Sequence, residues 1–401
     1  MKIIILTSVY PYENTGKAGN ITLFEILKQL LKKKVDVKVI FASSIKIKNF
    51  SFSNNQLKKF GKIELLNFSS IIKLKKRKFF EYLFKIFRSF KEIEDFKLEK
   101  EQILNQINYY KPDKIIFFWD TILDSLTEDL QNYETIYYGA KPPFSAFENS
   151  IEKQNNLKKF IDIIILKKRK KLHFSRIKKM KKKFNISKLD SLYYESKKIN
   201  VNYLQNTSKD KYEDLWRKTF KKKHKKIQIL GNISDLNATG NFQGLSFIND
   251  KLFPLISDLL ISKNIKIVIS GKGKINPDLK NILNSKVFEI KGYVKNFENL
   301  ILSSDIILMM NNSGSYTGGY TRIVDFFSSG SCVIAHKNLK EDMPEVENLY
   351  NILLGSNELE IRDHLCNCIN NFSLRKKIGI NARKTFEKYY HSKSVVSKLI
   401  E

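Results

Sequence analysis

The sequence predicts an α/β protein built as two doubly wound domains. Three observations predict it. Short runs of β-branched and aliphatic residues recur at 2–7, 35–41, 114–119, 227–230, 265–270 and 306–309, mostly without polar alternation, as strands buried on both faces require. Stretches with apolar residues every three or four positions separate several of them. The runs fall into two sets on either side of a highly charged stretch at 208–226, and 401 residues suffice for two domains of roughly 200 each.

Residues 2–7, Lys-Ile-Ile-Ile-Leu-Thr, open the first set as a buried strand. A loop over 8–20 carries Gly16 and Gly19. Leu23, Ile26, Leu27, Leu30 and Leu31 predict a helix over 21–34, and 35–41 is the second strand. Strand, glycine loop, helix, strand is how a doubly wound domain opens. Residues 114–119 are another buried strand with Asp120 just past its end; 135–138 is a short one ending at Gly139, with Lys141 beyond. Residues 151–188 are basic and read as helix, with apolar residues too sparse for a deep core. A strand near 201–205 closes the first domain, 1–207, and 208–226 is the linker.

The second domain, 227–385, begins with a strand ending in Gly231. Helix 241–262, strand 265–270 ending in Gly271-Lys272-Gly273, helix 279–283 and strand 287–290 ending at Gly292 follow. Then come helix 297–303, strand 306–309, a polar loop at 311–319, helix 321–329 and strand 332–335. Four strand–loop–helix units in about 110 residues predict a second Rossmann-like domain. Helix 374–389 and a last short helix reaching Ile400 end the chain, and 386–401 is read as a C-terminal helix able to return to the first domain.

Composition narrows the class. Apolar residues make up 42%, which excludes a largely disordered chain, and sixteen Gly with seven Pro exclude a fibrous one. Cys332, Cys366 and Cys368 are too few for a disulfide scaffold and complete no zinc site, so a reducing cytoplasm is expected. The N-terminal apolar run is too short for a signal peptide, and no run approaches a spanning helix. The formal net charge of +31 favours polyanionic partners. Only nine of the 72 basic residues are Arg, and Ile and Asn abound, the pattern of an AT-rich coding bias. Both readings of the charge stay open, but the bias leaves its clustering unexplained. Residues 73–91 hold eight basic residues and one acid; 153–183 hold fourteen and one. Phe79, Phe80, Leu83 and Phe84 interleave the first cluster, and Phe160, Ile163, Ile164 and Ile165 the second. That is the composition of an interfacial helix on an anionic membrane, with a solvated basic face as the alternative. No RNP aromatics, finger spacing or basic heptads support a nucleic-acid partner. His173 and His224 lie in Lys-rich runs and are expected to be solvated.

Several stretches of the second half carry a resemblance. They are Gly231-Asn-Ile-Ser-Asp-Leu-Asn-Ala-Thr-Gly-Asn241, Ile267-Val-Ile-Ser-Gly-Lys-Gly273, Lys291-Gly-Tyr-Val294 and Ser304-Asp-Ile-Ile-Leu-Met309. The fullest is Gly318-Gly-Tyr-Thr-Arg-Ile-Val-Asp-Phe-Phe-Ser-Ser-Gly-Ser-Cys-Val-Ile-Ala335, followed by Glu347-Asn-Leu-Tyr-Asn-Ile-Leu-Leu354 and Asn381-Ala-Arg-Lys-Thr-Phe386. In order and spacing they resemble the group 1, family 4-like glycosyltransferases over roughly residues 201–391. The first half resembles that family only at 6–39.

The resemblance implies the GT-B architecture, two Rossmann-like domains facing a central cleft, with a nucleotide-sugar donor on the second and an acceptor on the first. It implies no bound metal and no cofactor; the donor is a substrate. Backbone at Gly318 and Gly319, with Thr317, Tyr320 and Thr321 opening a helix, would face the donor diphosphate, and Arg322 would pair with it. An ordinary turn is the alternative for the two glycines. Asp325 stands where the family contacts the nucleotide ribose, and a helix-surface carboxylate is its alternative. The family's other acid, eight positions earlier, falls at Thr317, a departure that bears on the retaining outcome the resemblance implies. Asn232 stands where an Arg is common, and Thr239 or Asn241 where a Lys is, which shifts phosphate neutralisation to Arg322 and Lys272. Gly231, Gly271, Gly292 and Val294 would bring backbone beside the donor. Gly16, Gly19 and Lys141 belong to the acceptor side, and Asp120 is the first domain's catalytic candidate, with loop capping as the alternative. The implied reaction transfers a sugar to a lipid-linked glycan of a surface polysaccharide such as lipopolysaccharide or capsule. The enzyme would be cytoplasmic and peripheral to the inner face of the cell membrane. A GT-B-like adaptor with an altered donor site is the alternative.

Overall fold

The computed structural model describes residues 1–12, 18–42, 56–67, 92–119, 123–145, 148, 151, 156–217, 227–232, 235–311 and 321–401. The chain forms two units, Met1–Leu204 with Val396–Glu401, and Gln205–Val395. Residues 205–217, read above partly as linker, belong to the second unit.

Unit 1 holds β1 (Lys2–Thr7), β2 (Asp36–Phe41), β3 (Ile63–Asn67), β4 (Lys114–Phe118), β5 (Glu134–Gly139), β6 (Lys182–Asn185) and β7 (Asn202–Tyr203). They make one parallel sheet in the order β3-β2-β1-β4-β5-β6-β7. Ile3 to Leu6 have no exposed surface, because helices cover both faces of such a sheet. The helices are α1 (Ala18–Lys32), α2 (Glu92–Tyr110), α3 (Asn156–Lys179) and α4 (Lys188–Glu195). α1 buries Leu23, Ile26, Leu27, Leu30 and Leu31, the face its spacing announced. The helix expected over 151–188 is instead α3, strand β6 and the start of α4. Lys181 N–H donates to Thr135 O and begins the ladder to β5, and Ser187 caps α4 by accepting from Asp190 N–H.

Unit 2 holds β8 (Gln228–Asn232), β9 (Lys266–Ser270), β10 (Phe288–Gly292), β11 (Ile306–Met309), β12 (Val333–His336) and β13 (Leu353–Gly355), parallel in the order β10-β9-β8-β11-β12-β13. Successive strand residues serve opposite faces. Ile229, Ile267, Ile306, Leu308 and Ile334 join one core; Leu230, Val268, Ile307, Met309 and Val333 join the other. α5 (Thr239–Phe247) runs through a π turn, Ile248–Leu252, into α6 (Phe253–Ser262), where Pro254 lacks the amide needed to continue the α ladder. Then follow α7 (Lys280–Asn284), α8 (Phe297–Ser303), α9 (Thr321–Ser328), α10 (Leu339–Asp342), α11 (Glu358–Asn370), α12 (Phe372–Thr385) with a π turn at Phe386–Tyr390, and α13 (Ser392–Ile400). The tail of α13 belongs to unit 1: the Lys114 and Lys182 ammoniums donate to the Ile400 and Glu401 carbonyls at 2.6 Å each.

Candidate functional site

Each sheet grows outward from an inner pair of strands, β1/β4 in unit 1 and β8/β11 in unit 2. The connections leaving such a pair diverge, which opens a crevice past the carboxyl ends of the strands, where doubly wound folds bind ligands.

In unit 2 that crevice holds a small, open recess, lined among others by Gly231, Asn232, Met309, Asn311, Arg322 and Phe326. Gly231 is required by close approach: a Cβ there would stand 2.8 Å from Ile267 Cγ2, and the β8–β9 register slips at this residue. Asn232 is buried and its amide donates to Ser270 O at 2.9 Å, stitching β8 to β9. Asn241 bonds Asn311 and the Asp235 carbonyl and is also buried. Asn232 therefore holds two strand ends together and Asn241 holds two loops.

The ends of β9 and β10 form the adjoining rim. Gly292 has φ +61°, a left-handed conformation suited to glycine, and nothing lies within 4 Å of where its Cβ would be. Ser270 Oγ and Gly271 N–H both donate to Gly292 O at 2.8 Å. Lys272 is exposed, and its ammonium sits 5.4 Å from the ring centroid of Tyr293, itself 65% exposed. Val294 is half-buried. Tyr293 was not anticipated; its exposure on a strand end is a tertiary property.

Thr321, Arg322 and Asp325 lie on α9, and all three are half-buried. Asp325 does not line the recess. Its Oδ1 accepts from Ser208 Oγ at 2.6 Å, so it is neither a free helix-surface carboxylate nor open to solvent all round. Burial raises its pKa above the usual aspartate value, while Lys211, Ser208 and Arg322 oppose the rise and Glu298 adds to it. Ser208, Lys211 and Tyr212 were missed because they come from the segment read as linker. Thr317, Gly318, Gly319 and Tyr320 lie outside the described residues, as do Gly16, Asp120 and the cluster at 73–91.

In unit 1, Gly19 sits in the first turn of α1, where a Cβ would meet the Trp119 ring at 2.8 Å. Trp119 follows β4 with φ +44°, a strained conformation for so large a residue. Its ring stacks on Phe118 at 5.1 Å, and its backbone N–H donates to Tyr138 O. Lys141 is exposed past Gly139. His173 is not solvated. It is 4% exposed, with Nε2 2.8 Å from the Tyr194 hydroxyl and Nδ1 3.5 Å from Asp124, because α3 turns this residue inward while its lysines face out.

Solved structures resemble the chain over its whole length. A glycosyltransferase from Rickettsia africae ESF-5 matches with TM-score 0.62 and 17% identity over 100% of this chain and 97% of that one. Anabaena Alr3699/HepE in complex with UDP and glucose matches with TM-score 0.61 and 12% identity over 100% and 98%. Sucrose-phosphate synthase from Thermosynechococcus elongatus matches with TM-score 0.62 and 10% identity over 100% and 97%. The fold is that of the GT-B glycosyltransferases. No protein-family model and no curated protein matches the chain.

Proposed function

We propose that the chain is a GT-B glycosyltransferase whose nucleotide-sugar donor occupies unit 2. The observation that carries this is the recess past β8 and β11, entered by Arg322 at the start of α9. A helix start with a guanidinium beside it suits a diphosphate. Anabaena Alr3699/HepE, of the same fold, has been captured with UDP-glucose. In this reading Arg322 and Lys272 neutralise the leaving diphosphate and no resident metal takes part. Catalysis rests on orientation and on stabilising developing charge. The proposed outcome is retention of configuration. Titration calorimetry with UDP, GDP and ADP tests the donor site. At least one should bind, and Arg322→Ala should weaken it by about 1.5–3 kcal/mol. Unchanged affinity in the folded variant would sink the assignment.

We propose further that the acceptor is a lipid-linked glycan of a surface polysaccharide, reached from the cytoplasmic face of an anionic membrane. α3 supports this. Phe160, Ile164 and Leu172 are 63%, 41% and 44% exposed, and Lys167, Lys168, Lys171, Lys178 and Lys179 are exposed with them. Apolar side chains enter the headgroup region while lysines meet anionic lipid. No described helix is long and apolar enough to cross a membrane. A second reading, an adaptor with an altered donor site, is favoured by one observation: the Asn232 amide is already spent on Ser270 O. Hydrolysis of a nucleotide-sugar by the purified protein separates the two.

A further inference from the structure

Among the described residues the Asp325 carboxylate takes one hydrogen bond, from Ser208, 117 residues earlier in the chain. Ser208 is 8% exposed and is held on both sides. Thr207 Oγ1 donates to Tyr390 O at 2.8 Å, and Ser208 bridges to His391. Asp210 accepts two bonds from the Arg383 guanidinium, at 2.6 and 2.8 Å, and Arg383 is 3% exposed. Buried bidentate pairing of this kind fixes a backbone closely. The hydroxyl that meets Asp325 is thus delivered by a rigid segment. The other groups acting on Asp325 are Lys211, Glu298 and Arg322. Tyr212 adds, in the same neighbourhood, a buried hydroxyl without a partner among the described residues.

We propose that Ser208 is a positioning residue of the donor site: by donating to Oδ1 it fixes the rotamer of Asp325 and leaves Oδ2 to accept from a ribose hydroxyl of the nucleotide. This rests on the donor reading above. A hydroxyl that donates to a carboxylate also favours its ionised form, so the contact supports acceptance at neutral pH. A merely structural serine would stabilise the segment without altering what the carboxylate can accept.

The test uses the full chain with UDP and uridine as probes, by titration calorimetry from about pH 5 to 8. Ser208→Ala should weaken both ligands by roughly tenfold near neutral pH, the effect of one charge-assisted bond. The pH below which binding fades should move upward, because the carboxylate loses the donor that favours ionisation. Ser208→Thr, which keeps the hydroxyl, should restore affinity. Arg322→Ala should weaken UDP far more than uridine. If Ser208→Ala binds both ligands like the parent while Arg322→Ala loses UDP, the positioning role falls and the donor reading stands. If the parent binds none of UDP, GDP, ADP and their nucleosides, both fall; if it binds GDP or ADP alone, the same variants are read with that nucleotide and its nucleoside. Should Ser208→Ala fail to fold by near-ultraviolet dichroism, Ser208→Cys takes its place, and parental affinity there overturns the proposal equally.

Discussion

Three lysines at helix ends allow a stability prediction worked from geometry. Lys34, Lys111 and Lys198 have φ of +58°, +50° and +59°, the left-handed region where glycine is usual after a helix. Lys34 N–H donates to Leu31 O and Val35 N–H to Leu30 O, which closes a Schellman motif after α1. Lys198 and Ile199 do the same onto Glu195 and Tyr194 after α4, and Lys111 N–H bonds Ile107 O after α2. All three side chains are exposed, so glycine there removes little packing. A left-handed residue with a Cβ costs about 1–2 kcal/mol. Glycine gives back about 0.5–1 through its freer unfolded chain, and the lost lysine charge at a helix end about 0.3 more. The net gain is roughly 0.5 kcal/mol per site and about 1.5 for the triple variant, since sites on separate helices add. All three lie in unit 1, of about 200 residues, so its calorimetric transition should rise by roughly 3–6 °C. Asn264, with φ +51° after α6, is the internal control, because asparagine tolerates this conformation and Asn264→Gly should change little. A triple variant that melts at or below the parental temperature would refute the reasoning.

Asp325 separates binding from stability. Its folded pKa is raised, so the ionised carboxylate opposes folding above its unfolded value of 3.8, and the penalty is relieved as pH falls through the folded value. Asp325→Asn should therefore raise the melting temperature at pH 7, raise it less near pH 4, and weaken uridine binding; a variant less stable at pH 7 with parental affinity would mark the residue as structural. For the membrane surface, reversing Lys167, Lys168, Lys171 and Lys178 to Glu should release the protein from anionic liposomes at low salt with UDP affinity intact. Each lysine near such a surface contributes about 1 kcal/mol and is screened by salt. Parent protein that ignores anionic liposomes at low salt removes the docking proposal.

The inner strands were legible because a strand buried on both faces must be apolar throughout: Ile3 to Leu6, Ile115 to Phe118 and Ile267 to Ile269 are buried along their length, and no other element suits such short runs. The order of motifs in the second half was legible for the same reason, since strand ends and turns restrict the residues that fit them. The outer strands were not. β6 reads Lys-Lys-Phe-Asn and β7 is two residues long, and both exist because a neighbour offers a ladder. Helix ends were hidden too, since lysine and asparagine occupy positions where glycine would have announced a stop. His173 looked solvated among lysines because sequence proximity reports charge, while helix phase decides which way a side chain turns. Asp325 could be assigned a role from its place in a motif, but its partner could not. Ser208 and Asp325 meet only because the segment after Leu204 is anchored to α12 and the turn that follows it, and a contact spanning 117 residues is made by the fold alone.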